Sequence, residues 1–97
     1  MKNKRTKTGQ KKHDTGVTKS AQWYKSRGYK VEVDLPGEKK PKNIDGFIPD
    51  LIAKKGHKEI VIEVETKQTA NTDTDQQAAF KKYAARSSNR TFKKKVI

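Results

Sequence analysis

The sequence predicts an α/β protein with a mixed α+β sheet, in the order helix, three strands, helix, strand. Strict alternation of apolar and polar residues over 29–35, and two apolar runs flanking Gly56-His57, predict an antiparallel meander of three strands. Apolar residues at helical spacing on either side of this meander predict two helices that pack against the sheet. The second helix links the third strand to the last, so these two strands are expected to run parallel with a right-handed crossover.

The first helix is expected over residues 16–27, because Val17, Ala21 and Tyr24 form one apolar stripe. Gly28 lies where a left-handed C-terminal cap belongs. Three residues could serve as the N-cap: Asp14, Thr15 and Thr18.

The two strands of the central hairpin are expected over 47–55 and 58–67, after a loop over 36–46 that is rich in Pro, Gly and Lys. A Gly-first pair of residues suits a type II′ turn. Helix two is expected to begin near Thr72 and Asp75, which have capping-box spacing. The apolar stripe of this helix consists of Ala79, Phe80, Tyr83 and Ala84. A short terminal strand is expected over 90–97.

Composition predicts one small domain with a thin core, since the chain has 97 residues of which 30% are hydrophobic and 36% charged. Residues 1–13 are polar, basic and aperiodic, which predicts a disordered basic arm ahead of a single domain over 14–97. The absence of Cys excludes disulfides and thiolate-bound zinc. With no apolar signal core and no apolar run long enough to span a membrane, we expect an intracellular, cytoplasmic protein.

The net charge of +13 is concentrated at the two ends of the chain. Residues 1–12 and 76–97 carry basic side chains and no acid, whereas the eleven acids are balanced by eleven bases in between. Such blocks indicate a nucleic-acid partner, with solubilising tails as the alternative. The expected nucleic-acid contacts are Lys2, Lys4, Arg5, Lys7, Lys11, Lys12, Lys39, Lys40, Lys42, Gln76, Lys81 and Lys82.

The register of the hairpin places two acids opposite each other. If Gly56 and His57 are the central turn residues, stepping back along both strands pairs Asp50 with Glu63 on one face, about 5 Å apart at Cβ. Glu65 and Lys67 follow on the same face. Because adjacent carboxylates repel each other unless a cation lies between them, this face predicts a metal site. Hard oxygen ligands favour Mg²⁺ or Mn²⁺.

At these residues the chain resembles the PD-(D/E)xK nuclease superfamily, through Pro49-Asp50, the hairpin, the apolar run 60–62 and Glu63-Val64-Glu65. The resemblance covers residues from about 14 to 97 and implies a restriction-endonuclease-like core. The run YKSRGYKVEV before PDLIA is similar to archaeal Holliday junction resolvases. The minimal VRR-NUC nucleases are nearly as similar.

The resemblance implies that Asp50 and Glu63 hold magnesium, with the carbonyl of Val64 as a third ligand. The chain departs from the family pattern in having Glu65 where the motif lysine belongs, so Lys67 is expected to assist from two residues downstream. It also lacks a glutamate in helix one, where resolvases have one near the metal. An alternative register makes Glu65-Thr66-Lys67 the literal motif but places Glu65 opposite Ile48.

The function expected from these features is metal-dependent endonucleolytic cleavage of DNA, on branched, junction or duplex substrates, with RNA as a further substrate class. The catalytic residues would be Asp50, Glu63, Glu65 and Lys67, with Mg²⁺ or Mn²⁺ as cofactor. The alternative is a non-catalytic nucleic-acid-binding module with the same fold. A homodimer is expected from the small core and from the need for paired cuts, with Trp23 or the terminal strand as its contact.

Overall fold

The computed structural model describes residues 7–66 and 74–97 of the chain. Its elements follow the predicted order. They are α1 (Lys7–Ser26), β1 (Lys30–Val33), β2 (Leu51–Lys55), β3 (Lys58–Glu65), α2 (Thr74–Ala85) and β4 (Arg90–Val96).

The four strands form one mixed sheet in the spatial order β1-β2-β3-β4. The pairs β1–β2 and β2–β3 are antiparallel, and β3–β4 is parallel, as the sequence predicted. Lys55 pairs with Lys58 and Leu51 pairs with Ile62, which confirms the predicted register of the hairpin. Gly56 has φ of 59° while no positive φ is found at His57, which distinguishes a type II′ turn from type I′.

Helix α1 begins at Lys7, nine residues before the predicted start at 16. Asp14, which was expected as an N-cap, instead lies inside the helix and accepts a hydrogen bond from Gln10 at 2.8 Å. The basic segment 7–13 has no apolar stripe, so periodicity alone could not identify it as helical. Residues 7–13 of the predicted arm are thus helical in the structure, whereas residues 1–6 lie outside the described residues.

Strand β2 begins at Leu51 rather than at the predicted residue 47. Pro49 has no N–H to donate to a neighbouring strand, and Phe47 instead pairs with Ile44 in an isolated antiparallel bridge. Asp50 is consequently the last residue of the loop, immediately before the strand. Thr72, expected to cap helix two, lies outside the described residues, and α2 begins at Thr74.

Two apolar layers enclose the sheet. Helix α1 packs Val17, Ala21 and Tyr24 onto alternate residues of β2 and β3, including Leu51 and Ile62. The opposite face carries a second layer, in which Ile44, Ile52, Val61, Phe80 and Tyr83 pack together beneath α2. The two central strands, β2 and β3, thus bury both faces, as expected where helices cover both sides of a sheet. No helix within the described residues is long and apolar enough to cross a membrane.

A polar network ties α2 to the sheet through Glu59. The Tyr83 hydroxyl donates to Glu59 Oε2 at 2.8 Å, and Lys42 Nζ and Arg90 Nε lie 3.3 and 3.4 Å from its oxygens. Burial would raise the pKa of Glu59, but the hydrogen bonds from Tyr83 and Lys42 outweigh this effect and lower the pKa below its ordinary value of 4.5. Stability from this group is therefore present above pH 4.5 and is lost as the pH falls through the lowered pKa of the folded state.

The substitution Tyr83→Phe should lower the free energy of unfolding by about 1 kcal/mol at pH 7, because one hydrogen bond to a carboxylate is lost while the ring remains. The deficit should shrink as the pH falls below 4.5, where Glu59 becomes protonated. Urea denaturation from pH 3 to pH 7 measures this. Tyr24→Phe is the matched control, since the Tyr24 hydroxyl donates to no group in the described part of the chain, and its effect should not change over this range. A Tyr83→Phe deficit that is independent of pH would contradict the network.

Candidate active site

Asp50 lies at the end of the hairpin opposite the turn, where the loop enters β2. Its backbone N–H donates to Glu63 Oε2 at 2.8 Å, and its Oδ2 accepts from the Val64 N–H at 2.9 Å. These two bonds continue the hairpin beyond the last ladder pair and bring the Asp50 and Glu63 side chains together, as the predicted register required. Pro49, buried beside it, fixes the chain direction just before the acid.

Glu63 is held from the opposite side by α2. Its Oε1 accepts a short hydrogen bond from the Gln76 side-chain amide, while Oε2 faces Asp50. Only 1% of the Glu63 surface is exposed, and the same is true of Glu65 two residues later. A solvated charged face is therefore excluded for these acids: both carboxylates are inside the protein.

His13 is a residue of this site that sequence reasoning missed. It is buried on α1, and its Nε2 lies 3.2 Å from Asp50 Oδ2, while Nδ1 lies 3.4 Å from Asp14. A signal was available, since His13 precedes Val17 by four residues and extends the stripe of Val17 and Ala21 by one turn. Because the predicted helix began at residue 16, three residues after His13, this signal was not used. Helix α1 thus contributes an imidazole beside Asp50, at a site where the sequence offers no helix-one glutamate.

The electrostatics of the site follow from the buried acids. Burial, and next the adjacent Asp50 carboxylate, raise the pKa of Glu63 to about 9, and Glu65 adds to the increase. The hydrogen bonds from Asp50 and Gln76 oppose the shift without cancelling it. Without a cation, Glu63 is therefore mainly protonated at neutral pH.

The donor set fits a hard divalent cation. Asp50 and Glu63 supply neighbouring carboxylate oxygens whose mutual repulsion a cation would relieve. Over residues 7–66 and 74–97, no group of three or more His, Cys, Asp or Glu side chains is arranged to hold a metal ion. The pair alone suits Mg²⁺, which is commonly held by one or two carboxylates and retains several waters. The Val64 N–H donates to Asp50 Oδ2, and the role of the Val64 carbonyl as a third ligand stays a prediction.

The other predicted residues are divided between the site and the surface. Gln76 reaches Glu63, whereas Lys39, Lys40 and Lys42 form ion pairs with Glu32, Asp34 and Glu59. Of the predicted contacts, Lys11, Lys12, Lys81 and Lys82 are exposed on the two helices. Lys67 lies outside the described residues, as do Lys2, Lys4 and Arg5, and no side-chain position is described for Lys7.

Comparison with known families assigns the chain to this fold. A family model described as REase_AHJR-like, a restriction-endonuclease-like family, matches residues 5–92. The chain belongs to this family. The match covers both helices, the whole hairpin and the start of β4, so it includes every described residue of the site. Searches of curated proteins and of solved structures returned no significant match.

In metal-free buffer, Glu63→Gln should flatten the pH dependence of stability. A carboxyl group whose pKa rises from 4.5 to about 9 on folding destabilises the folded state progressively as the pH rises between these values. The wild-type free energy of unfolding should therefore fall relative to that of the variant, by at most about 1.4 kcal/mol per pH unit.

Urea denaturation in EDTA at pH 5, 7 and 9 measures this difference. Glu38→Gln is the control, because Glu38 is exposed and its ion pair with Lys25, at 3.8 Å, lies on the surface. Parallel pH profiles for wild type and Glu63→Gln would contradict a strongly raised pKa.

Proposed function

We propose that this protein is a divalent-metal-dependent endonuclease that hydrolyses phosphodiester bonds in DNA. The observation that carries the proposal is the contact of the buried Glu63 with the half-buried Asp50, at the end of the hairpin in a restriction-endonuclease-like chain. Adjacent carboxylates in a protein interior destabilise the folded state unless they bind a cation or one of them is protonated. A net charge of +13 supports a polyanionic substrate.

In this proposal Asp50 and Glu63 hold the metal, and Glu65 adds negative charge beside them. When bound, Mg²⁺ would neutralise charge on the scissile phosphate and lower the pKa of a bound water. The chain's own groups fix the ligands: the Val64 N–H and His13 orient Asp50 Oδ2, and Gln76 orients Glu63 Oε1. Lys67 would orient the attacking water, in place of the motif lysine that is Glu65 in this chain.

Exposed lysines on the helices would bind phosphates on either side of the scissile bond. Lys11 and Lys12 on α1, and Lys81 and Lys82 on α2, are exposed on the two helices that also contribute His13 and Gln76 to the site. Branched or junction DNA is the substrate class to which the resolvase resemblance points. Two cuts on such a substrate require a homodimer, which stays a prediction.

Asp50→Asn and Glu63→Gln should each abolish Mg²⁺- or Mn²⁺-dependent cleavage while DNA binding is retained or strengthened, because negative charge near the phosphate is removed. Plasmid, junction and single-stranded DNA are incubated with each protein and with Mg²⁺, Mn²⁺ or EDTA. In parallel, Mn²⁺ should raise the melting temperature of the wild type and not that of the variants. Cleavage by both variants at the wild-type rate would show that the site lies elsewhere.

Lys67→Ala should reduce the rate of cleavage by about 10²-fold or more, as expected for loss of a group that positions the nucleophile. Lys30→Ala, which removes the same charge from an exposed position on β1, is the matched control and should cleave normally. DNA affinity should be similar in the two variants. Equal cleavage rates for the two variants would contradict a role for Lys67. If the wild type itself does not cleave, the alternative function, a binding module without catalysis, is favoured.

A further inference from the structure

A basic groove lies between α1 and β4, on the side of the sheet opposite Glu63. Helix α1 packs against β1, β2 and β3, whereas α2 packs against β4. The α1 side of β4 is therefore left as the wall of an open groove of about 460 Å³. Its main lining residues are Lys19, Trp23, Tyr24, Ile62, Lys93 and Lys95.

The alternation of β4 determines which of its lysines line this groove. Phe92 packs near Phe80, with ring centroids 6.0 Å apart, and Lys94 donates to Gln77, so these residues face α2. Lys93 and Lys95 therefore face the α1 side. Lys95 Nζ reaches Ser20 Oγ at 3.3 Å across the groove, which places the charge of β4 against the helix.

The lining combines cations with an exposed aromatic ring. No acid lines the groove, and in the described part of the chain no carboxylate lies within 4 Å of Lys19, Lys93 or Lys95. Trp23 is 50% exposed, and its expected role as a dimer contact stays a prediction. The guanidinium of Arg27 lies 4.4 Å from its ring centroid. Lysines beside an exposed indole are the features with which proteins bind single-stranded nucleic acid, through phosphates and stacked bases.

The basic surface continues beyond this groove. Lys93 also lines an adjoining depression with Lys55 and Lys58, over Ile60 instead of Ile62. These two floor residues are two positions apart in β3, on the order of 7 Å. The two depressions thus form a short basic track along β3 and β4, long enough for a few nucleotides.

We propose that this track binds a single-stranded segment of nucleic acid, with a base stacked on Trp23 and the backbone along Lys93 and Lys95. An unpaired base is required, because the faces of bases within a duplex are not available for stacking. A second copy of the chain is disfavoured as occupant, since a symmetric β4 contact would bring the same lysines together. Ile62 and Glu63 are consecutive in β3 and face opposite sides, so the bound segment is not the one that reaches the acids.

Trp23 is the single tryptophan of the chain, so its fluorescence reports on this groove directly. Titration with oligo(dT) in EDTA should quench the emission, and duplex of the same length should quench it less. Because no metal-dependent cleavage occurs in EDTA, the result is independent of the proposed nuclease activity.

The double variant Lys93→Gln/Lys95→Gln should bind oligo(dT) at least tenfold more weakly. It should also lower the log–log salt slope by about 1.4, or about 0.7 for each phosphate of a single strand that the protein no longer neutralises. Lys30→Gln/Lys54→Gln is the matched control, because these lysines are neighbours on β1 and β2, which β3 separates from β4. This variant should leave both the affinity and the salt slope unchanged. Trp23→Leu, followed with a labelled oligonucleotide, should weaken binding roughly tenfold.

Three outcomes would overturn the proposal. The Trp23 emission could remain unchanged at saturating oligo(dT), or the two double variants could weaken binding equally, which would indicate attraction by net charge alone. The emission could instead change with protein concentration in the absence of DNA, together with a dimer mass in sedimentation. That result would identify the groove as an interface between copies of this chain.

Discussion

The contact between the buried Glu63 and the half-buried Asp50 at the end of the hairpin is the constraint on which the rest of this structure depends. Asp50 and Glu63 meet where β2 begins, and each is held by hydrogen bonds from the protein. Such a pair is unfavourable in a protein interior, and the raised pKa of Glu63 expresses that cost. The pair lies at one end of the sheet, where side chains from both helices converge. A bound cation or a bound proton would stabilise it there.

Both helical layers contribute to this point. His13 approaches Asp50 from α1, and Gln76 approaches Glu63 from α2. The acids are thus fixed by the packing of the helices on the sheet, and loss of either layer would release one of them. The turn of α1 that precedes its apolar stripe contains this buried imidazole.

Strand β3 separates two kinds of surface. Its residues alternate between Ile60 and Ile62, which face α1, and the acids, which face α2. Because α1 leaves β4 uncovered, the α1 side ends in a lysine-lined groove, while the α2 side ends in buried carboxylates. One sheet thereby carries the buried acids on one face and a basic surface on the other.

The sequence by itself determined the order of elements, the hairpin register and the contact of Asp50 with Glu63, because these depend on local periodicity and on one two-residue turn. Only the tertiary structure decided that Glu63 and Glu65 are buried, that His13 belongs to the site and that Trp23 is exposed beside Lys93. Those features depend on how far α1 extends and which strands it covers. Packing between distant segments decides both, because the polar, basic start of the helix has no apolar stripe and only the spacing of His13 to Val17 points to it.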